Sequence, residues 1–308
     1  MPDADKVRNW TPERLPDLGG RLYVVTGGNS GIGLEAAKML ASRNADVIVA
    51  ARNPEKARAA VDALASLGSG VASSLQLDLA DLSSVRAAAE TLRVRTDKVD
   101  GLVNNAGIMQ TPPQKTANGF EMQFGTNHLG HFYWTGLLLD LVEAAAGRIV
   151  TVSSIAHRYG KIHFDDLMLE KSYDPTVSYC QSKLANLVFA LELHRRLMKS
   201  GSSAKSIACH PGYSNTNLQS TGPGSALTAI YRVTNALFAQ SAEKGAMPTV
   251  LAAAGDEARA GAYYGPTGFR ELNGPVGEAA VARRASDEET GARLWTESER
   301  LVGLEWLS

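Results

Sequence analysis

Short, unbroken apolar runs alternate with longer amphipathic segments along most of this chain, and that alternation restricts the fold more than any other feature. Leu22–Thr26 reads as a strand, followed by a glycine-rich stretch and a helix to about Arg43. Asp46–Ala50 is a second apolar run, after which Pro54 opens a helix to about Leu67. Further strands are predicted at Val71–Leu77, Gly101–Asn104, Arg148–Ser153, Ser206–His210 and Gly261–Tyr264, with helices over 81–95, 119–145 and 175–199. Strands that are apolar throughout, rather than alternating, are covered by helices on both faces. Strand–helix alternation of this kind predicts an α/β fold, a doubly wound parallel sheet of about seven strands.

Hydrophobic residues make up 44% of the chain, enough for a sizeable core. No internal repeat or linker interrupts the pattern, so residues 1–308 read as one domain. Residues 1–19 form an N-terminal extension and 285–308 a C-terminal helical segment. Residues 213–240 break the alternation, being rich in Ser, Thr, Asn and Gly before turning amphipathic. A loop-plus-helix excursion late in such a fold reads as a substrate lid or as a surface loop. The net charge is −1 with both signs interspersed, which argues against nucleic acid as the main partner. Cys180 and Cys209 form no CxxC or Cys/His cluster, so neither a disulfide framework nor a metal site is expected. The polar, proline-bearing stretch from Met1 to Arg21 has no apolar h-region, and no run of about 18 apolar residues follows. A soluble, cytoplasmic protein without a membrane span is expected.

The first strand runs into Thr26-Gly27-Gly28-Asn29-Ser30-Gly31-Ile32-Gly33. Glycines there permit a tight turn and let the backbone approach a pyrophosphate at the next helix N-terminus. The turn follows an apolar run and precedes an amphipathic helix, which is the context of a Rossmann-like dinucleotide site. The second strand ends Ala50-Ala51-Arg52-Asn53, where the adenosine ribose would lie. No acidic residue is present to hold both ribose hydroxyls. Arg52 instead offers a guanidinium for a 2′-phosphate, so NADP(H) is preferred over NAD(H).

Tyr179 and Lys183 are four apart on a predicted helix and share a face. A free phenol, with a pKa of about 10, is a poor acid or base near neutrality. A nearby ammonium favours the phenolate and lowers that value. A phenol tuned in this way can give a proton to a carbonyl oxygen as hydride reaches the carbon, and in reverse can take the alcohol proton. Ser154 lies 25 residues upstream at a strand end, with Ser153 beside it as the competing hydroxyl.

The Gly-x3-Gly-x-Gly spacing of Gly27, Gly31 and Gly33, with Ser154, Tyr179 and Lys183, resembles the short-chain dehydrogenase/reductase superfamily over about residues 20 to 265. The resemblance implies that Ser154 holds the substrate oxygen near Tyr179 and that Lys183 also binds the nicotinamide ribose. It implies that Asn127, in Thr126-Asn127-His128-Leu129-Gly130, holds a water beside Lys183 for proton relay. Asp78-Leu79 would meet the adenine, although Asp78 could equally cap a helix. Asn105-Ala106-Gly107 would line the cofactor cleft. Pro211-Gly212 would contact the nicotinamide carboxamide, and Thr216 the pyrophosphate or carboxamide.

Tyr179-Cys180-Gln181-Ser182-Lys183-Leu184-Ala185-Asn186 and Asn127-His128-Leu129-Gly130-His131-Phe132 are similar to the retinol-dehydrogenase-like and protochlorophyllide-reductase-like branch. So is the long interval from Ser154 to Tyr179. The membrane anchor of many retinol dehydrogenases is not seen at the N-terminus, which favours a soluble carbonyl reductase. The implied reaction interconverts a ketone or aldehyde and its alcohol on a fairly bulky apolar small molecule. A dinucleotide-sensing module of the same fold is the alternative, and the intact set of Asn127, Ser154, Tyr179 and Lys183 argues against it. His128 and His131 read as helix-packing or surface residues. Family members commonly form homodimers or homotetramers through the helices holding Asn127 and Tyr179. The segment around Trp295, Leu301, Leu304 and Trp306 could pack on the core, form an interface or close the pocket.

Overall fold

The computed structural model describes residues 6–213 and 240–307. Thr216 and almost all of the predicted lid fall outside those residues. Eight strands form one sheet: β1 (Leu22–Thr26), β2 (Asp46–Ala51), β3 (Ala72–Gln76), β4 (Gly101–Asn104), β5 (Arg148–Val152), β6 (Lys205–Cys209), β7 (Tyr263–Pro266) and β8 (Val276–Glu278). Their order is β3-β2-β1-β4-β5-β6-β7-β8. The first seven are parallel, and β8 runs antiparallel to β7 as an eighth strand beyond the seven expected.

The helices are α1 (Gly31–Ala41), α2 (Pro54–Leu64), α3 (Leu82–Arg95), a single turn α4 (Met122–Phe124), α5 (Gly130–Ala144), α6 (Pro175–Ser200), α7 (Ala242–Ala254) and α8 (Glu288–Val302). Successive strand residues enter opposite cores, as a pleated strand requires. Val24, Ile48, Leu102 and Ile149 pack with α3, α5 and α6. Val25, Val49, Val103 and Val150 pack with α1, α2 and α7. β3, at the sheet edge, is the exception to the all-apolar pattern: its sequence is Ala-Ser-Ser-Leu-Gln and only Leu75 is buried.

The N-terminal extension is part of this body. Trp10, Leu15 and Leu18 are buried, and Trp10 N donates to Val276 O on β8. At the other end α8 lies across α5 and α6. Trp295 and Trp306 contact Phe132 at ring centroid distances of 5.0 and 5.1 Å. Gly136 of α5 has no Cβ where Trp306 and Leu304 pass. The C-terminal segment therefore packs on the core, and its tryptophans fill that core.

β1 leads to β2 on one side, while its other neighbour is β4. The chain reverses its direction of progress there, and the carboxyl ends of these strands open the crevice in which such folds bind ligands.

Candidate active site

The turn after β1 is held to the end of β4 through one hydroxyl. Thr26 Oγ1 accepts from Asn105 N at 2.9 Å and from Ala106 N at 3.0 Å. Asn105 Nδ2 donates to Thr26 O at 2.8 Å. Gly27 and Gly31 have φ of +67° and +53°, which glycine alone adopts cheaply. A Cβ on Gly33 would collide with Gly27 O and Asn105 Nδ2. The backbone of α1 can thus lie directly on the turn. Ser30, extended and preceding α1, makes no side-chain cap, leaving the first N–H groups of the helix directed at the crevice. A pyrophosphate fits that cradle, which Gly27, Asn29, Ser30, Gly31, Ile32 and Gly33 would form.

Arg52 follows β2 with its side chain exposed, and it has no ion-pair partner among the described residues. Asn53 caps α2 by accepting from Lys56 N. Asp78 Oδ1 accepts from Ala80 N, whereas the cap of α3 is Asp81. The helix-cap reading of Asp78 is therefore not what the fold uses. Leu79 is buried, and the missing Cβ of Gly130 lets α5 approach its carbonyl.

Asn127 sits in a π-helical segment, Gly125–Leu129, joining α4 to α5. Such single-turn bulges redirect a side chain within a helix and recur at functional sites. Its side chain is heavily committed. Oδ1 accepts from Ile108 N at 2.8 Å, while Nδ2 donates to Ile108 O at 3.0 Å and Ser182 Oγ at 2.9 Å. Ser182 in turn donates to Tyr179 O, so Asn127 braces the turn of α6 between Tyr179 and Lys183. A Cβ on Gly107 would stand 3.3 Å from Asn127 Oδ1 and 3.4 Å from Lys183 Nζ, so this glycine keeps the two groups close.

The two serines after β5 divide their work. Ser153 is buried and its hydroxyl donates to Lys183 O at 2.7 Å. Ser154 is half-buried and extended; its Oγ accepts from Ala156 N at 3.2 Å, capping a 3-10 turn at Ile155–Arg158. Among the described residues the Ser154 hydroxyl has no acceptor for its proton, whereas Ser153 anchors α6. That helix starts with Asp174 accepting from Thr176 N and Val177 N, has Pro175 at its first position, and ends at Gly201 in the left-handed region.

Lys183 is buried, and Nζ donates to Val152 O at 3.2 Å. It lies 5.9 Å from the centre of the Tyr179 ring. Burial lowers its ammonium to about 8. Cys209, beneath it, is pushed up to about 12 by burial and stays a neutral thiol. Beyond β6, Pro211 and Gly212 follow His210, with Gly212 at φ +68°.

The model of the short chain dehydrogenase family matches residues 21–223. The chain belongs to that family. Human retinol dehydrogenase 13 is 41% identical over 298 residues, covering 93% of this chain and 86% of the relative. Human retinol dehydrogenase 12 is 38% identical over 293 residues, covering 94% and 88%. The chain thus lies in the retinol-dehydrogenase-like branch. An uncharacterized protein from Mycobacterium paratuberculosis superposes with a TM-score of 0.81 at 41% identity, over 96% of this chain and 98% of that one. The Pseudomonas aeruginosa RhlG/NADP active-site complex shares the fold, with a TM-score of 0.64 at 22% identity over 82% and 96% of the two chains.

As a short chain dehydrogenase this protein is an oxidoreductase acting between an alcohol and a carbonyl group with a nicotinamide dinucleotide. Three residues at its site escape the sequence reading: Thr26, Ser182 and His131. His131 is buried in helix packing as expected, yet it also joins the site. Its Nδ1 lies 3.0 Å from Asn127 O and its Nε2 2.8 Å from Thr26 Oγ1. A carbonyl can only accept, so Nδ1 carries the proton and Nε2 accepts from the threonine. Burial lowers His131 to about 4, which keeps this neutral tautomer. Nothing in a Thr or His flanking a motif signals such a bridge. No described helix is long and apolar enough to cross a membrane.

Proposed function

We propose that this chain is an NADP(H)-preferring enzyme interconverting a ketone or aldehyde and its alcohol on a fairly bulky apolar molecule, with Tyr179 as general acid and base. The observation that carries the reading is Lys183. Its ammonium, lowered to about 8 yet largely protonated near neutrality, stands one helical turn from Tyr179 and favours the phenolate. Ser154, whose Oγ accepts from Ala156 N and so can still donate, orients the substrate oxygen towards the phenol. Asn127 holds the intervening turn of α6 in place through Ser182. Its side chain has one Oδ1 lone pair left for a water beside Lys183. The dinucleotide, when bound, supplies or receives the hydride.

The cradle of Gly27 to Gly33 would hold the pyrophosphate. Asp78 and Leu79 would meet the adenine, while Asn105, Ala106 and Gly107 would line the cleft. Pro211 and Gly212 would contact the nicotinamide carboxamide, and Thr216, outside the described residues, the pyrophosphate or carboxamide. Arg52, exposed and without an ion-pair partner among the described residues, supports the 2′-phosphate preference. The names of the relatives support a long apolar substrate, and retinal belongs in any panel.

The test follows NADPH and NADH absorbance against retinal, long-chain aldehydes and bulky ketones. NADPH should be consumed with at least one of these and be preferred over NADH. A charge-assisted contact is worth about 1.5–3 kcal/mol. Arg52→Asp should therefore weaken NADPH by roughly 10- to 100-fold more than NADH. Equal losses for both cofactors would remove Arg52 from the 2′-phosphate.

A further inference from the structure

A second cluster of buried polar groups lies behind the nicotinamide end of the crevice. His210, at the end of β6, is fully buried. Its Nδ1 accepts from Gly212 N at 3.1 Å. The proton of the neutral ring is therefore on Nε2, which donates to Glu271 Oε2 at 3.1 Å. Gly265 of β7 has no Cβ, and one there would collide with this imidazole.

Glu271 is fixed from two further sides. Its Oε2 meets Arg158 Nη2 at 2.5 Å, and its Oε1 accepts from Ala280 N at 2.9 Å. Arg158 ends the 3-10 turn that Ser154 caps. In the same turn His157 lies 2.7 Å from Ser154 O through Nδ1, which must donate. The backbone at Arg270 and Glu271 is left-handed, with φ of +50° and +60°. Non-glycine residues hold such angles at a cost, and they persist where surrounding contacts over-determine them. Leu272, next in line, accepts from Tyr213 N at 2.7 Å. One carboxylate thus ties the turn carrying Ser154 to the segment 210–213.

We propose that His210 and Glu271 are positioning residues: Glu271, braced by Arg158, orients a neutral His210 imidazole that fixes the Gly212 backbone at the nicotinamide end of the cofactor site. The proposal rests on the cofactor reading above. Protonating His210 would put a second hydrogen opposite Gly212 N–H. Burial opposes this by lowering the ring below the usual histidine range, while Glu271 pulls the other way. Arg158, His157 and Tyr263 are the remaining titratable groups that face it.

Calorimetric titration of the full chain with NADP+ and with 2′-phospho-ADP-ribose, which is NADP+ lacking nicotinamide, tests the idea. Losing one well-placed hydrogen bond is worth about a tenfold change in affinity. Glu271→Ala and His210→Phe should each weaken NADP+ by roughly tenfold and leave 2′-phospho-ADP-ribose within about twofold. His210→Asn, whose carboxamide oxygen can still accept from Gly212 N–H, should retain more NADP+ affinity than His210→Phe. Equal weakening of both ligands would mean a merely structural role and overturn the proposal, as would unchanged NADP+ binding. If Glu271→Ala fails to fold, Glu271→Leu, which likewise offers the His210 Nε2–H no acceptor, gives the same ratio of affinities. Failure of the unmodified chain to bind either ligand would instead sink the cofactor reading itself.

Discussion

At the scale of single residues, the reactive set depends on one charge held in an unfavourable place. Lys183 is buried and donates to the backbone carbonyl of Val152, and desolvation lowers its ammonium to about 8. The charged form is present below that value and lost above it. Since kcat/KM for the dinucleotide reports the free enzyme, it should fall on the alkaline side of about pH 8 in steady-state rates measured from pH 6 to 10. Lys183→Met should remove that limb and lower kcat by roughly a hundredfold. Tyr179, Lys183 and Ser154 were legible because motif spacing and chemistry coincide there. Ser182 and Thr26 were not: a hydroxyl that clamps two backbone segments leaves no pattern in the chain.

At the scale of elements, legibility followed local punctuation. Pro175 and the glycine after Ser200 bound α6, and the predicted 175–199 differs from the observed helix by one residue. The predicted helix over 119–145 proved to be a turn, a π segment and α5, because a one-residue insertion in a helix has no compositional signature. α7 was missed because Pro248 sits inside it, and β8 because three residues reading Val-Gly-Glu form no apolar run. The N-cap of α6 carries a stability prediction. Asp174→Ala removes two acceptor contacts, to Thr176 N and Val177 N. It should cost about 1 kcal/mol in chemical denaturation. An unchanged midpoint would show that packing alone sets where α6 begins.

At the scale of the whole molecule, α8 bears on assembly. The resemblance implied oligomers built through the helices carrying Asn127 and Tyr179. In this chain α5 and α6 are largely buried; Trp295 and Trp306 cover them from within the same chain, and the Arg196 guanidinium of α6 lies 4.5 Å from the Trp295 ring. If light scattering after size exclusion gives more than the mass of one chain, the contact should lie away from these helices, and a dimer sealed through them would contradict this packing. Burial also sets the acid limit of stability. His128 is held down to about 3, and His131 and His157 to about 4, against 6.5 when unfolded. Between about pH 4 and 6.5 the unfolded chain binds more protons than the native one. Stability should fall on acidification through that window, by up to about 1.4 kcal/mol per pH unit for each imidazole. Thermal unfolding followed by circular dichroism at pH 7, 6 and 5 reads the slope. A flat Tm would mean these rings are not neutral in the fold. The fold class was legible because strand–helix alternation is a whole-chain signal; the covering of α5 and α6 was not, because an amphipathic segment does not say whose surface it meets.

The most direct measurement is the rate of NADPH oxidation by Tyr179→Phe beside the unmodified chain, on a carbonyl substrate the unmodified chain turns over, with NADP+ affinity measured on both. The predicted result is a rate lower by at least about a hundredfold with cofactor affinity nearly unchanged. Equal rates for the two proteins would contradict the assignment of the proton to Tyr179.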